Sequence, residues 1–138
     1  MRAVDTNVLV RLLVRDDAEQ AALADEYIVS GAWVSLLVLL EALWVLTVRY
    51  ERSGAQLAGT LDLLLDHESL VLQEPEVVKR AVERFRRNRS AGLADLLILE
   101  LASQHGHAPM ATFDRDFAKH DGTVRLERAR PRRPTRPA

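Results

Sequence analysis

The sequence predicts an α/β sandwich on a parallel sheet. Short apolar runs such as Ala32–Val34 and Leu70–Leu72 alternate with longer segments of helical spacing, and Gly, Ser and Pro punctuate the changeovers. The chain has 138 residues, 48% of them apolar. That fits one domain with a real core.

Taken in order, Arg2 to Asp5 reads as a first strand, followed by a helix from Asn7 to Val14 with Leu9, Leu12 and Leu13 on helical spacing. Asp16-Asp17 starts a second helix, which Ser30-Gly31 stops. Ala32 to Ser35 is the second strand. Leu36 to Tyr50 is apolar all round and predicts a buried helix. Ser53-Gly54 opens a helix ending near His67, and Leu70 to Leu72 is the third strand. Pro75 suits the first turn of a helix reaching about Arg87. Ser90-Ala91-Gly92 breaks the chain before a helix from Leu93 to Gln104, with Gly106 beyond it. Pro109 to Thr112 is the fourth strand, Asp116 to Lys119 a short helix, and Thr123 to Leu126 a fifth strand.

The chain contains no cysteine, which excludes disulfides, thiolate zinc sites and a Cys nucleophile. An acid at position 5 argues against a signal peptide, and no apolar run approaches the ~20 residues a bilayer needs. The expectation is a soluble, cytoplasmic protein with no membrane partner. Net charge is −1, unevenly spread: from Arg125 onward six Arg face one Glu, so the preceding 124 residues carry −6. An acidic body argues against general nucleic-acid binding unless a bound cation reverses the local sign. Residues 127–138, rich in Arg and Pro, are expected to be a disordered tail behind a domain of residues 1–126, with an RNA- or partner-binding role as the other reading.

Three acids sit in apolar sequence: Asp5 before Val8-Leu9-Val10, Glu41 inside Leu36–Leu46, and Asp95 inside Leu93–Leu99. An unpaired buried carboxylate costs several kcal/mol, so something must compensate it. Asp114 follows the fourth strand as Asp5 follows the first, and C-terminal strand ends share one edge of an open parallel sheet. Converging carboxylates repel unless they share protons or a cation. Oxygen donors without Cys favour Mg²⁺ or Mn²⁺ over zinc.

The runs Met1–Val10, Leu39–Leu46, Gly92–Ile98 and Ala111–Phe117, in this order and spacing, resemble the successive motifs of PIN domains, most closely VapC-type toxins of bacterial toxin–antitoxin pairs. The resemblance spans residues 1 to about 126. It implies a three-layer α/β/α sandwich with a central four- to five-stranded parallel sheet, metal-dependent endoribonuclease activity, a cognate antitoxin that blocks the site, and an RNA substrate. It makes Asp5, Glu41, Asp95 and Asp114 the catalytic and metal-holding cluster, with Thr6, Asn7, Thr112 and Asp116 as supporting residues. Leu96 stands where a small residue is expected, at the pocket wall. Arg115, Arg86, Arg87 and Arg89 are candidates for RNA phosphates. Size and an apolar helix surface (Leu37–Trp44, Leu57–Leu65) suit a partner-covered homodimer.

Other readings stand beside these. Asp5 can cap the helix it precedes, and Thr6, Asn7 and Thr112 are ambiguous in the same way. Glu100, about 140° around the helix from Asp95, is expected to face solvent. Asp116, Arg115 and the Arg86–Arg89 group can be ordinary solvated residues. His105 and His107 read as helix-end residues, not ligands, and Trp33 and Trp44 as core or interface. A haloacid-dehalogenase-like phosphatase would need a second acid where Asn7 stands. A PIN-like module that binds RNA or protein without cutting is the main rival.

Overall fold

The computed structural model describes residues 1–129, and the part of the predicted tail from residue 130 lies outside them. Among the described residues, five short strands and six α-helices follow in the order β1 (Arg2–Ala3), α1 (Thr6–Val14), α2 (Ala18–Ile28), β2 (Ala32–Val34), α3 (Leu36–Tyr50), α4 (Gly54–Asp66), β3 (Leu70–Leu72), α5 (Pro75–Arg87), α6 (Leu93–Gln104), β4 (Met110–Thr112) and β5 (Thr123–Arg125). A 3₁₀ helix, Phe117–Lys119, joins the last two strands. Residues 127–129 have neither helix nor strand.

All strand pairs are parallel, as the alternation of strand and helix requires. The single four- to five-stranded sheet is not what forms. β1-β2-β3 make one sheet and β4-β5 a second. The strands are two or three residues long, and β1 spends its few backbone groups on β2, with Val4 N donating to Trp33 O as the pair runs out. So short a strand offers little to ladder with a second neighbour.

Helix boundaries follow local chemistry. Asp5, Asp17 and Ser35 cap α1, α2 and α3 by accepting from the amide three residues on. Ser53 and Gln56 close a reciprocal capping box on α4. Gly54 packs closely on Phe85: a Cβ there would sit 2.5 Å from Phe85 Cζ, so the ring would have to shift. Gly31, at φ +95°, provides the left-handed turn that ends α2.

The core gathers Leu9, Val34, Leu39, Leu61, Val77, Val78, Leu96 and Leu99, all fully buried. Two sequence expectations need correction here. Helix α3 is not buried all round: Leu36, Leu39, Ala42, Leu43 and Leu46 face inward, while Leu37 (78% exposed), Trp44 (61%) and Val48 (56%) face out. A domain of this size offers one side of a long helix something to pack against, and the other side stays wet. Trp44 is therefore not a core residue. Glu100 does not face solvent. It is 5% exposed and pairs with the Arg84 guanidinium of α5, which also donates to Asp121 O at 2.7 Å.

Candidate functional site

Asp5 caps α1: its Oδ1 accepts from Val8 N at 3.0 Å, and Oδ2 has no protein partner among the described residues. Asp114 repeats the arrangement after β4. Its Oδ1 accepts from Phe117 N at 2.9 Å, and Thr112 Oγ1 fixes its backbone by accepting from Asp114 N at 3.0 Å. Both strand-end acids thus fold the turn after their strand and keep one oxygen available.

Glu41 and Asp95 sit on helix surfaces. Both are exposed, and neither forms a hydrogen bond or ion pair among the described residues. Glu41 shares the outer side of α3 with Leu37, Trp44 and Val48, at spacings of three, four and seven residues. The expectation that Glu41 lies in a helix buried all round is overturned, because apolar residues around it in sequence are themselves exposed. Their chain neighbours come together: Leu40 and Ala94 line one apolar groove of about 340 Å³, with Leu43, Trp44, Leu57, Phe85 and Leu93.

Among the described residues no three His, Cys, Asp or Glu stand close enough to hold a metal ion together. No hydrogen bond joins β4 to β1, so strand pairing does not bring Asp114 beside Asp5. The donor chemistry nonetheless suits a hard divalent ion. Four exposed carboxylates without cationic partners leave oxygens free, and Mg²⁺ is commonly held by one or two carboxylates with several waters retained. The fit is of donor type, not of a preassembled cage.

The supporting residues divide. Thr6 is buried beneath the start of α1, whereas Asn7 is exposed beside Asp5. Asp116 is exposed and pairs with Lys119 at 3.2 Å. Of the arginine candidates, Arg86 is held by Asp62 at 2.6 Å, and Arg89 lies over the Phe85 ring at 5.2 Å. Arg87 lines a polar cleft of about 300 Å³ with Arg84, Asn88, Lys119, His120 and Asp121. Arg115 is exposed beside Asp114 in the chain. His105 follows the end of α6, and its side chain meets the Glu74 carboxylate before α5 at 3.3 Å, not a last-turn carbonyl. Leu96 belongs to the core and is not at a pocket wall.

Two features escaped sequence reasoning. His120 is buried, with its Nε2 3.2 Å from Ser90 Oγ, tying the loop before α6 to the turn after β4. Burial, with Arg84 nearby, lowers its pKa below the usual histidine value. The second is a groove of about 360 Å³ between α1 and α2, lined by Asp5, Asn7, Val8, Arg11, Gln20, Leu23, Ala24 and Tyr27. Gln20, Leu23, Ala24 and Tyr27 recur at helical spacing, a signal that was legible but reads as core.

Searches of curated proteins and of solved structures returned no match. The family model described as PIN domain matches residues 2–123, a span that takes in all four acids and both sheets almost completely. The chain belongs to the PIN domain family.

Proposed function

We propose that this protein is a Mg²⁺-dependent endoribonuclease in which Asp5, Glu41, Asp95 and Asp114 hold the ion, Mn²⁺ being able to replace it. PIN domains are generally nucleases that use divalent metals, and the family match across residues 2–123 is the observation that carries the reading. Exposure supports it: each of the four acids is accessible to an ion and a phosphate. When bound, Mg²⁺ lowers the pKa of water and clamps phosphate oxygens. The chain's own work is positional. The Val8 and Phe117 amides fix the rotamers of Asp5 and Asp114, and Thr112 sets the turn that presents Asp114. One carboxylate takes the proton of the attacking water. Arg115 and Arg87 remain the candidates for RNA phosphates, whereas Arg86 and Arg89 already have partners.

In the same reading the protein is the toxin of a VapC-type toxin–antitoxin pair, acting in the cytoplasm as a homodimer. The outer side of α3 supports a partner: Leu37, Trp44 and Val48 form an exposed apolar stripe with Glu41 in its midst. A small antitoxin seated there covers a catalytic acid while burying the stripe. The Arg-rich end from Arg125 offers a second contact for acidic partners.

The test is incubation of the purified protein with mixed RNA in Mg²⁺, Mn²⁺ or EDTA. Cleavage that disappears with chelator and with Asp95→Asn is expected. Cleavage that survives both removes the metal-nuclease reading. For the toxin role, expression alone should arrest growth, and a co-encoded small protein should relieve it. Harmless expression of an active nuclease counts against it. The second reading, a PIN domain that binds RNA or protein without cutting, is favoured by the lack of a three-donor metal group among the described residues. It predicts RNA binding that is indifferent to Asp95→Asn, with no cleavage in any metal.

A further inference from the structure

We infer that the groove between α1 and α2 is a pocket for one unpaired RNA base beside the cut, with the Gln20 and Asn7 amides reading its edge. The inference rests on the nuclease reading and deepens it by naming how substrate is chosen. Asp5, one of the four acids, lines this groove, so whatever occupies it lies beside the proposed chemistry. Its volume of about 360 Å³ is near the lower end, roughly 300 Å³, for small-molecule pockets. That is room for a nucleoside.

The lining has the composition that single-stranded RNA recognition uses: flat apolar surface, an aromatic ring and a few polar groups for base edges. Val8, Leu23 and Ala24 supply the apolar part, and Leu23 is 60% exposed. Tyr27 supplies the ring. Arg2 lies over that ring at 4.0 Å and adds a cation beside the groove for a backbone phosphate. Gln20 Oε1 is already taken, accepting from Arg11 Nε at 2.7 Å, and Arg11 is further held by Asp16 at 2.9 Å. This network fixes the amide and leaves its nitrogen as a donor. Asn7 is exposed and has no side-chain partner among the described residues. A donor from Gln20 and a donor–acceptor from Asn7 on an apolar wall can distinguish base edges.

The probe is a short fluorescent single-stranded RNA, with an abasic nucleotide stepped through each position, bound to the full chain carrying Asp95→Asn in Mg²⁺. Affinity should fall at one position on the order of fivefold, about what the weaker base contacts are worth. Gln20→Glu keeps the oxygen that accepts from Arg11 and replaces only the nitrogen. It should change the ranking of the four bases at that position without lowering the melting temperature, because the new charge sits beside Arg11 and in the first turn of α2. Leu23→Ser should weaken binding by a similar factor without changing the ranking. Uniform affinity across abasic positions, or an unaltered ranking in Gln20→Glu, overturns the base pocket. Loss of RNA binding on a protein partner's docking at Gln20 and Leu23, with the base ranking unmoved by either variant, reassigns the groove to protein and also overturns it. Cleavage by the unmodified chain in Mg²⁺, measured in parallel, shows separately whether the nuclease reading stands.

Discussion

Asp5 caps α1 and, in the proposed function, also holds the ion, and substitution can separate the two. As a cap, it offers Oδ1 to Val8 N at 3.0 Å. Asn caps a helix as well as Asp does, so Asp5→Asn keeps that bond and loses only the favourable charge at the helix start, about 0.3 kcal/mol at an exposed site. Asp5→Ala loses the cap as well, about 1 kcal/mol. Unfolding entropy of about 2.1 cal/mol/K per residue gives about 0.29 kcal/mol/K over 138 residues, so Asp5→Ala should melt about 3 to 4 °C lower and Asp5→Asn about 1 °C lower. Catalysis should follow a different order. Loss of partners that merely orient a ligand costs about 10–100-fold, so removal of the ligand's charge should cost at least ~100-fold in both variants. Melting by calorimetry and Mg²⁺-dependent cleavage of a fluorescent RNA measure the two effects. Should Asp5→Asn cleave normally while Asp5→Ala loses activity only in step with its stability, Asp5 is a cap and nothing more.

Three further outcomes follow from the same geometry. Arg84→Met strands the buried Glu100 carboxylate and should cost about 3 kcal/mol in denaturant unfolding, while adding Glu100→Leu should restore most of it because the pair is replaced by apolar contact; a double variant as weak as the single one refutes the pairing. Glu41→Gln, at an exposed helix position, should shift stability by less than about 0.5 kcal/mol yet abolish cleavage, and EDTA should do the same to the unmodified chain; retained cleavage removes Glu41 from the ligand set. His120 is held below the ordinary histidine pKa by burial, so the unfolded chain binds a proton there before the native one does. Stability should therefore fall as pH drops below about 6.5, the unfolded value, and His120→Gln should flatten that part of the unfolding-versus-pH curve; an unchanged slope contradicts it.

Local signals carried most of the fold. Caps at Asp5, Asp17 and Ser53 and the stop at Gly31 are chemistry between residues three or four apart, and the helices begin and end close to where those residues predict, while Ser35, read as the end of the second strand, caps α3. Sheet assembly is not local. The two- and three-residue strands carry no alternation that specifies a neighbour, and nothing in β1 or β4 says that the first pairs with β2 and the second with β5. The candidate residues were legible as positions and illegible as environment. Asp5 and Asp114 stand after their strands as read, but Glu100, taken as a surface residue, pairs with Arg84, which is 16 positions earlier and on another helix. The α1–α2 groove was missed because a face of Leu23, Ala24 and Tyr27 looks the same whether it meets a core or lines an open cleft.

The exposure of Glu41 changes why the acids matter. Had Glu41 and Asp95 been buried, each would have cost several kcal/mol without its ion, and the domain would have depended on metal to fold. Exposed carboxylates impose no such cost, and the core of Leu9, Leu39, Leu61 and Leu99 closes with no contribution from them. Folding and metal binding are then separable. Chelation should silence cleavage without moving the melting temperature. It also follows that the ion need not be tightly held before substrate arrives, because RNA phosphate oxygens can complete a coordination shell that two or more carboxylates and water begin. Metal affinity should then rise when a non-cleavable RNA is present, and by linkage RNA affinity should rise equally with metal. Isothermal titration of Mg²⁺ into the protein, with and without such an RNA, measures that coupling. Identical affinities in the two titrations would mean that ion and phosphate do not share a site.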